Sequence, residues 1–241
     1  MGLPVSVEIR RPAHDMTGAF DRAFAWLRSV DARFSPFRTD SEVCRAGRGE
    51  LAPDDYSREF IEIMRLCAEY ERRSGGAFTA RLPGRPLDPS GVVKGWAVQR
   101  MAESLIADGA EHFCVNAGGD VVTRGESEPG CRWRVGVRHP ERGDRMCAVF
   151  RIRDGAVATS GAYERGNHII DGRTGRAASG LLCVTILADD LVTADAVATA
   201  AFALGTDGIA WAARQPGCLV FAIDAHHRVH RSSNLDGLLI P

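Results

Sequence analysis

Asp195 and Thr199 stand four residues apart in "LVTADAVATAAFAL", residues 191 to 204, with alanines for most of their neighbours. Residues at that spacing share one face of a helix, so a carboxylate and a hydroxyl are offered side by side. Hard oxygen ligands of this kind suit Mg2+, which takes few protein groups and keeps waters or substrate phosphates in its shell. The same residues also read as helix chemistry alone, with Thr193 as the N-cap and Asp195 in the first turn at the positive end of the helix dipole. Spacing leaves both readings open.

A second candidate is a lysine. Of the 30 basic residues, 29 are arginine and one, Lys94, is lysine, in "LDPSGVVKGWAVQR". In a chain that uses arginine by habit, a compact ammonium at this place suggests a position where a planar guanidinium does not fit; chance survival on a surface is the alternative. Asp88 and Ser90 are cap candidates for the helix that follows. A helix N-terminus with Lys94 one turn in suits a phosphate, and an ordinary cap is the plainer version.

"VNAGGDVV" puts Asn116, Gly118, Gly119 and Asp120 directly after a strand-like run. Paired glycines permit positive φ or close approach of backbone to a ligand. No GxGxxG pattern is present and no helix follows, so a dinucleotide crossover is excluded, while a tight hairpin remains. "ATSGAYERGNHIIDGRTG" gathers Tyr163, Glu164, Arg165, His168, Asp171 and Arg173. His168 is expected to begin a strand, and a lone histidine there is more often structural than catalytic.

These candidates need elements to hold them. "VSVEIR" alternates as a strand does. Apolar residues at helical spacing mark "DMTGAFDRAFAWLRSVDARFS" with Asp15 and Thr17 as caps, "SREFIEIMRLCAEYERR" ended by Gly75 and Gly76, and "VKGWAVQRMAESLIADGAE" ended near Gly109. From "HFCVN" onward the chain is strand-rich, with turn chemistry between runs and the Asp195 helix interrupting them. The expected class is α+β, a single domain over residues 1–241 with a mostly antiparallel sheet and flanking helices.

Composition narrows the classes of function. The 30 basic and 31 acidic residues give a net charge of -1 without blocks of like charge, which argues against a nucleic-acid partner. No stretch is long and apolar enough for membrane insertion, and the first residues lack the pattern of an export signal. The expected compartment is therefore cytoplasmic, although a leader already removed would leave the same chain. Seven cysteines, an odd number without CxxC spacing, read as small buried hydrophobes rather than a disulfide frame or zinc site.

In order along the chain, "RFSPFRTDSEVCR", "SGGAFTARLPG", "LDPSGVVKGWAVQR", "VNAGGDVV", "ATSGAYERGNHIIDGRTG" and "TADAVATAAFALG" resemble the successive motifs of the ApbE-like FAD:protein FMN transferases. "MGLPVSVEIR" resembles that family's entry into its first strand. The resemblance implies the family's α+β, T-fold-related architecture. It also implies Mg2+-dependent transfer of the FMN portion of FAD to a Thr or Ser hydroxyl of an acceptor flavoprotein, with release of AMP. It puts the metal at Asp195, Thr199 and the Gly91 carbonyl. It puts FAD against Met1, Phe37, Ala77, Phe78, Thr79, Asp88, Lys94, Asn116, Gly118, Gly119, Asp120, His168 and Ile169. Asp195 and His168 become the catalytic candidates, His168 as the group that helps deprotonate the incoming hydroxyl.

This chain departs from the family pattern at several places. Thr79 stands where the family has Asp, the segment from Thr79 to Leu87 is short, Pro89 replaces Leu, and Gly172 replaces Pro. A carboxylate expected near the flavin is thus missing. The departures keep two other activities open: an FAD pyrophosphatase yielding FMN and AMP, and a non-catalytic FAD-binding or delivery protein.

Overall fold

The computed structural model describes residues 2–162 and 168–240. Met1 and the candidates Tyr163, Glu164 and Arg165 lie outside the described residues. The chain opens with β1 (Val5–Ile9), followed by α1 (Thr17–Phe34), α2 (Glu42–Gly47), α3 (Arg58–Arg73) and α4 (Ser90–Ala107). Strands β2 (Phe113–Ala117), β3 (Asp120–Arg124), β4 (Trp133–Arg138), β5 (Met146–Ile152) and β6 (Gly155–Gly161) come next. Two short strands, β7 (Ile170–Asp171) and β8 (Arg176–Ala177), precede β9 (Leu181–Ala188). The chain then runs through α5 (Leu191–Leu204), α6 (Thr206–Ala213), β10 (Leu219–Asp224) and β11 (Val229–Arg231).

Seven strands form one sheet in the order β1-β2-β3-β6-β9-β10-β11, every pairing antiparallel. The α+β expectation holds. Side chains alternate across the pleat, and both faces are covered. Val122, Ala156, Ala158, Val184, Ile186, Val220 and Ala222 face a core completed by the helices. Val121, Val157, Cys183, Leu187, Phe221 and Ile223 face a second core closed by the β4–β5 ribbon through Val135, Val137, Phe150 and Ile152. The ribbon seals one face so that the helical face can be given over to the site.

Several expected caps are displaced. Asp190, not Thr193, caps α5: its carboxylate accepts from the Thr193 N–H at 2.8 Å and the Thr193 hydroxyl at 2.8 Å. Asp190 has the extended backbone that a cap requires, and Thr193 is already helical. The helix therefore starts at Leu191, and Asp195 falls outside its first turn. The cap position of α1 is Met16 without a side-chain bond; Asp15 instead accepts from the Thr17 N–H and hydroxyl. At α4 the cap position is Pro89, while Asp88 accepts from the Ser90 N–H at 3.0 Å. Helix α2 has no long apolar repeat to announce it; Ser41 caps it and Val43 anchors it in the core. All seven cysteines are free thiols; three are buried and Cys131 is exposed, against the expectation of burial throughout.

Helix α5 is apolar on nearly all sides and buried, the pattern of a central core helix. Its alanines let sheet, α4 and α6 approach closely. No helix among the described residues is long and apolar enough to cross a membrane. At the α5–α6 crossing a Cβ on Gly208 would lie 1.9 Å from the Ala201 carbonyl oxygen. Gly208→Ala is therefore expected to destabilise the protein by roughly 1–3 kcal/mol, the usual cost of overpacking, with a Tm several degrees lower in thermal melts. Gly237→Ala, where a Cβ meets nothing within 4 Å, should leave Tm nearly unchanged; equal losses in both would contradict the close crossing.

Candidate active site

Helices α4 and α5 dock through matched rows of positions one turn apart. On α4 the row is Gly91, Gly95 and Gln99; on α5 it is Thr199, Asp195 and Leu191. A Cβ on Gly91 would sit 3.1 Å from Thr199 Cγ2, and one on Gly95 would sit 2.5 Å from the Leu191 carbonyl oxygen and 2.7 Å from Asp195 Cβ. Only glycine allows this approach. Gln99 Oε1 accepts the first N–H of α5, that of Leu191, at 3.0 Å. The Gly95 N–H donates to Asp195 Oδ2 at 2.8 Å. In an α-helix that N–H faces the carbonyl four residues back, which here is Gly91, so the Asp195 carboxylate reaches α4 beside the Gly91 carbonyl.

Lys94, beside this row, reaches two carboxylates. Its Nζ lies 2.6 Å from Asp120 Oδ2 and 3.3 Å from Asp195 Oδ1. Asp120 is brought there by the β2–β3 hairpin. Gly118 and Gly119 take φ of +62° and +100°, the two-residue turn that favours glycine, and Asn116 Oδ1 accepts the Gly119 N–H at 2.9 Å. The hairpin and the site are thus one feature. Asp120 Oδ1 accepts the Thr159 N–H of β6 at 3.1 Å. Asp120 and Asp195 are 1% and 2% exposed.

Among the described residues, two buried carboxylates face one ammonium here. Burial pushes the Asp195 carboxyl up to about 7; Lys94 opposes the rise and Asp120 adds to it. A cation would relieve that charge. No three acidic, histidine or cysteine side chains converge as a metal cage among the described residues. The candidate donors, the Asp195 carboxylate, the Thr199 hydroxyl and the Gly91 carbonyl, are all oxygens and few, which fits Mg2+ better than a metal held by nitrogen or sulfur.

A second group adjoins the first through Phe78, whose Cε2 would lie 2.7 Å from a Cβ on Gly91. The Ala77 carbonyl accepts the Gly172 N–H at 2.9 Å, joining the "GAFT" segment to the loop after β7. That loop is fixed by Asp171, which accepts from the Arg173 N–H and guanidinium at 2.9–3.0 Å; the guanidinium holds this carboxyl below its usual range.

A family model described as the ApbE family matches residues 1–83 and 79–222. The chain belongs to the ApbE family. A FAD:protein FMN transferase of Vibrio cholerae serotype O1 is 29% identical over 207 residues, 80% of this chain and 61% of the relative. One from Salmonella typhimurium is 32% identical over 162 residues, 63% of this chain and 46% of the relative. The matched stretches span less than two thirds of either relative's length. The solved flavin transferase ApbE from Vibrio cholerae superposes with a TM-score of 0.83 at 22% identity, covering 99% of this chain and 96% of that one. That likeness is one of fold.

Of the residues expected from the ApbE motifs, Gly91, Lys94, Asp120, Asp195 and Thr199 come together directly, with Asn116, Gly118 and Gly119 forming the turn that supplies Asp120. Ala77, Phe78 and Thr79 form the adjoining group, and Asp88 starts α4. Phe37 is 91% exposed in the turn after α1. His168 is exposed ahead of β7, and Ile169 packs partly into the helical core, its carbonyl accepting the Ala178 N–H at 2.9 Å. Sequence reasoning missed Gln99 and Asp190, whose signals were a polar residue one turn beyond Gly95 and an Asp three before Thr193.

The raised Asp195 carboxyl has a sign that can be checked. Between about pH 4 and 7 the metal-free folded state holds this proton and the unfolded state does not, so stability falls as pH rises through that window. In chelator, Asp195→Asn is therefore expected to raise Tm at pH 8 and to raise it less at pH 5. A larger gain at pH 5, or a loss at pH 8, would contradict a charged carboxylate held at a cost.

Proposed function

We propose that this chain transfers the FMN portion of FAD to a Thr or Ser hydroxyl of an acceptor flavoprotein, releasing AMP and depending on Mg2+. The observation that carries the reading is the convergence of Lys94, Asp120 and Asp195 at the α4–α5 crossing, in a chain of the ApbE family. Relatives with matched sequence carry the name FAD:protein FMN transferase.

The chemistry is a displacement at phosphorus. The acceptor oxygen bonds to the phosphorus of the FMN half, the pyrophosphate P–O bond breaks, AMP leaves with that electron pair, and the hydroxyl proton passes to a base. Positioning and charge stabilisation dominate such transfers. Mg2+, held by Asp195, Thr199 and the Gly91 carbonyl, would supply charge neutralisation for the diphosphate. Lys94 holds Asp120 and Asp195 at fixed separation and adds positive charge beside the diphosphate. The Gly95 N–H aims the Asp195 carboxylate, and Asn116 and the glycine turn keep Asp120 in register. His168, exposed ahead of β7, receives the proton.

Incubation with FAD, Mg2+ and a flavin-acceptor domain should yield fluorescent, covalently labelled acceptor and an equal amount of AMP. Asp195→Ala is expected to lower that rate by a hundredfold or more, the scale of losing a central electrostatic group, while circular dichroism stays native. Free FMN and AMP without labelled acceptor would identify a hydrolase, and FAD retention without AMP a carrier; either result overturns the transferase reading.

A further inference from the structure

Two free thiols meet where the β4–β5 ribbon lies on the sheet. The ribbon is a two-stranded sheet of its own, with no strand pairing to the other seven. Its register slips once: Val137 stands opposite Ala148 and Arg138 opposite Met146, so Cys147 has no partner across the ribbon. A bulge of this kind re-aims the side chain it frees. In a regular pleat Cys147 would turn away from the core that Ala148, Phe150 and Ile152 face. With the bulge it packs against that core, and its thiol donates to the Val137 and Arg138 carbonyls at 3.5 and 3.6 Å.

Cys183 reaches the same place from the sheet. It stands in β9 between Gly161 of β6 and Ile223 of β10, fully buried in the second core. Its S–H donates to Cys147 Sγ, so the two sulfurs touch across the boundary between ribbon and sheet. That bond holds the Cys147 thiol below its ordinary value, with burial opposing; the same bond and burial push the Cys183 thiol up. Thiolate character and access decide which sulfur an oxidant meets first. Cys147 has both: it is half-buried at the ribbon end, next to the exposed Met146, and Cys183 is fully buried.

We infer that Cys147 and Cys183 form a peroxide-responsive disulfide that fastens the ribbon to β9, with Cys147 as the attacking thiol and Cys183 as the resolving one. The Cys147 sulfur bonds to one oxygen of hydrogen peroxide, the O–O bond breaks, and the other oxygen leaves with that electron pair and takes the thiol proton as water. Cys183 then bonds to the sulfur of the Cys147 sulfenic acid, the S–O bond breaks, and the departing hydroxide takes the Cys183 proton as a second water. Two thiols are oxidised and one peroxide is reduced. The bridge closes a long loop that contains β6, β7 and β8, and it adds a covalent tie where ribbon and sheet share no ladder.

The experiment treats the folded, reduced full chain with hydrogen peroxide at neutral pH, blocks the remaining thiols, and maps its peptides without reduction. A linked Cys147–Cys183 peptide is expected, together with a Tm raised by roughly 5–15 °C and restored by dithiothreitol, the scale of a bridge across a long loop in a chain of this size. In Cys183→Ala, which keeps the core apolar, dimedone should trap the sulfenic acid at Cys147. Cys147→Ala should show neither link nor Tm shift. No link in the unaltered chain, sulfinic acid at Cys147 in place of a link, a link from either residue to another cysteine, or a Tm that fails to rise on linking overturns the pair. Trapping at Cys183 in Cys147→Ala, without trapping at Cys147 in Cys183→Ala, overturns the order of attack.

Discussion

The Asp195 carboxylate sits 2% exposed on a helix whose other faces are mainly alanine and valine. An ionised carboxylate without partners cannot be kept in such a place. Much of the surrounding chain serves that one group. Gly95 removes its own side chain so that its N–H reaches Asp195 Oδ2, Lys94 bridges it to Asp120, and Gln99 pins the start of α5 so that the row of contacts stays in register. The partners offset only part of the cost, since the carboxyl still rises to about 7. A cation there would complete the neutralisation that the described partners leave unfinished.

The architecture explains how the buried carboxylate is tolerated. One face of the sheet is closed by the β4–β5 ribbon around Phe150 and Phe221, an apolar core with no part in the site. The other face carries α5 between sheet and α4, so its carboxylate is held by rigid elements rather than by loops. The "GAFT" segment and the loop after β7 meet through the Gly172 N–H and the Ala77 carbonyl. Thr79 and Gly172 lie in those loops, apart from the contacts that fix the spacing of the α4–α5 crossing.

The order of elements was legible because long amphipathic repeats and glycine stops are local signals: α1, α3 and α4 and the Gly118–Gly119 turn follow from them. Lys94 was legible as an exception to a chain-wide habit, yet its two carboxylate partners come from β3 and α5, which no local pattern connects. Asp190 outcompetes Thr193 as cap because cap choice depends on backbone geometry at the β9–α5 junction. Most of the alanines of α5 pack against sheet and helices, which their place beside Asp195 and Thr199 in the sequence does not show. Glycines 91 and 95 look like poor helix formers in isolation; their value appears only when the opposing helix is in place. Family resemblance linked the motifs, and the spacing of Asp195 and Thr199 alone did not.

The most direct test is an anomalous-scattering map from crystals of the protein grown with FAD and Mn2+ in place of Mg2+. The account predicts a metal peak at the α4–α5 crossing, coordinated by the Asp195 carboxylate, the Thr199 hydroxyl and the Gly91 carbonyl, with the FAD diphosphate completing its shell. FAD bound with no metal at that crossing, or a peak held by other residues, would contradict it.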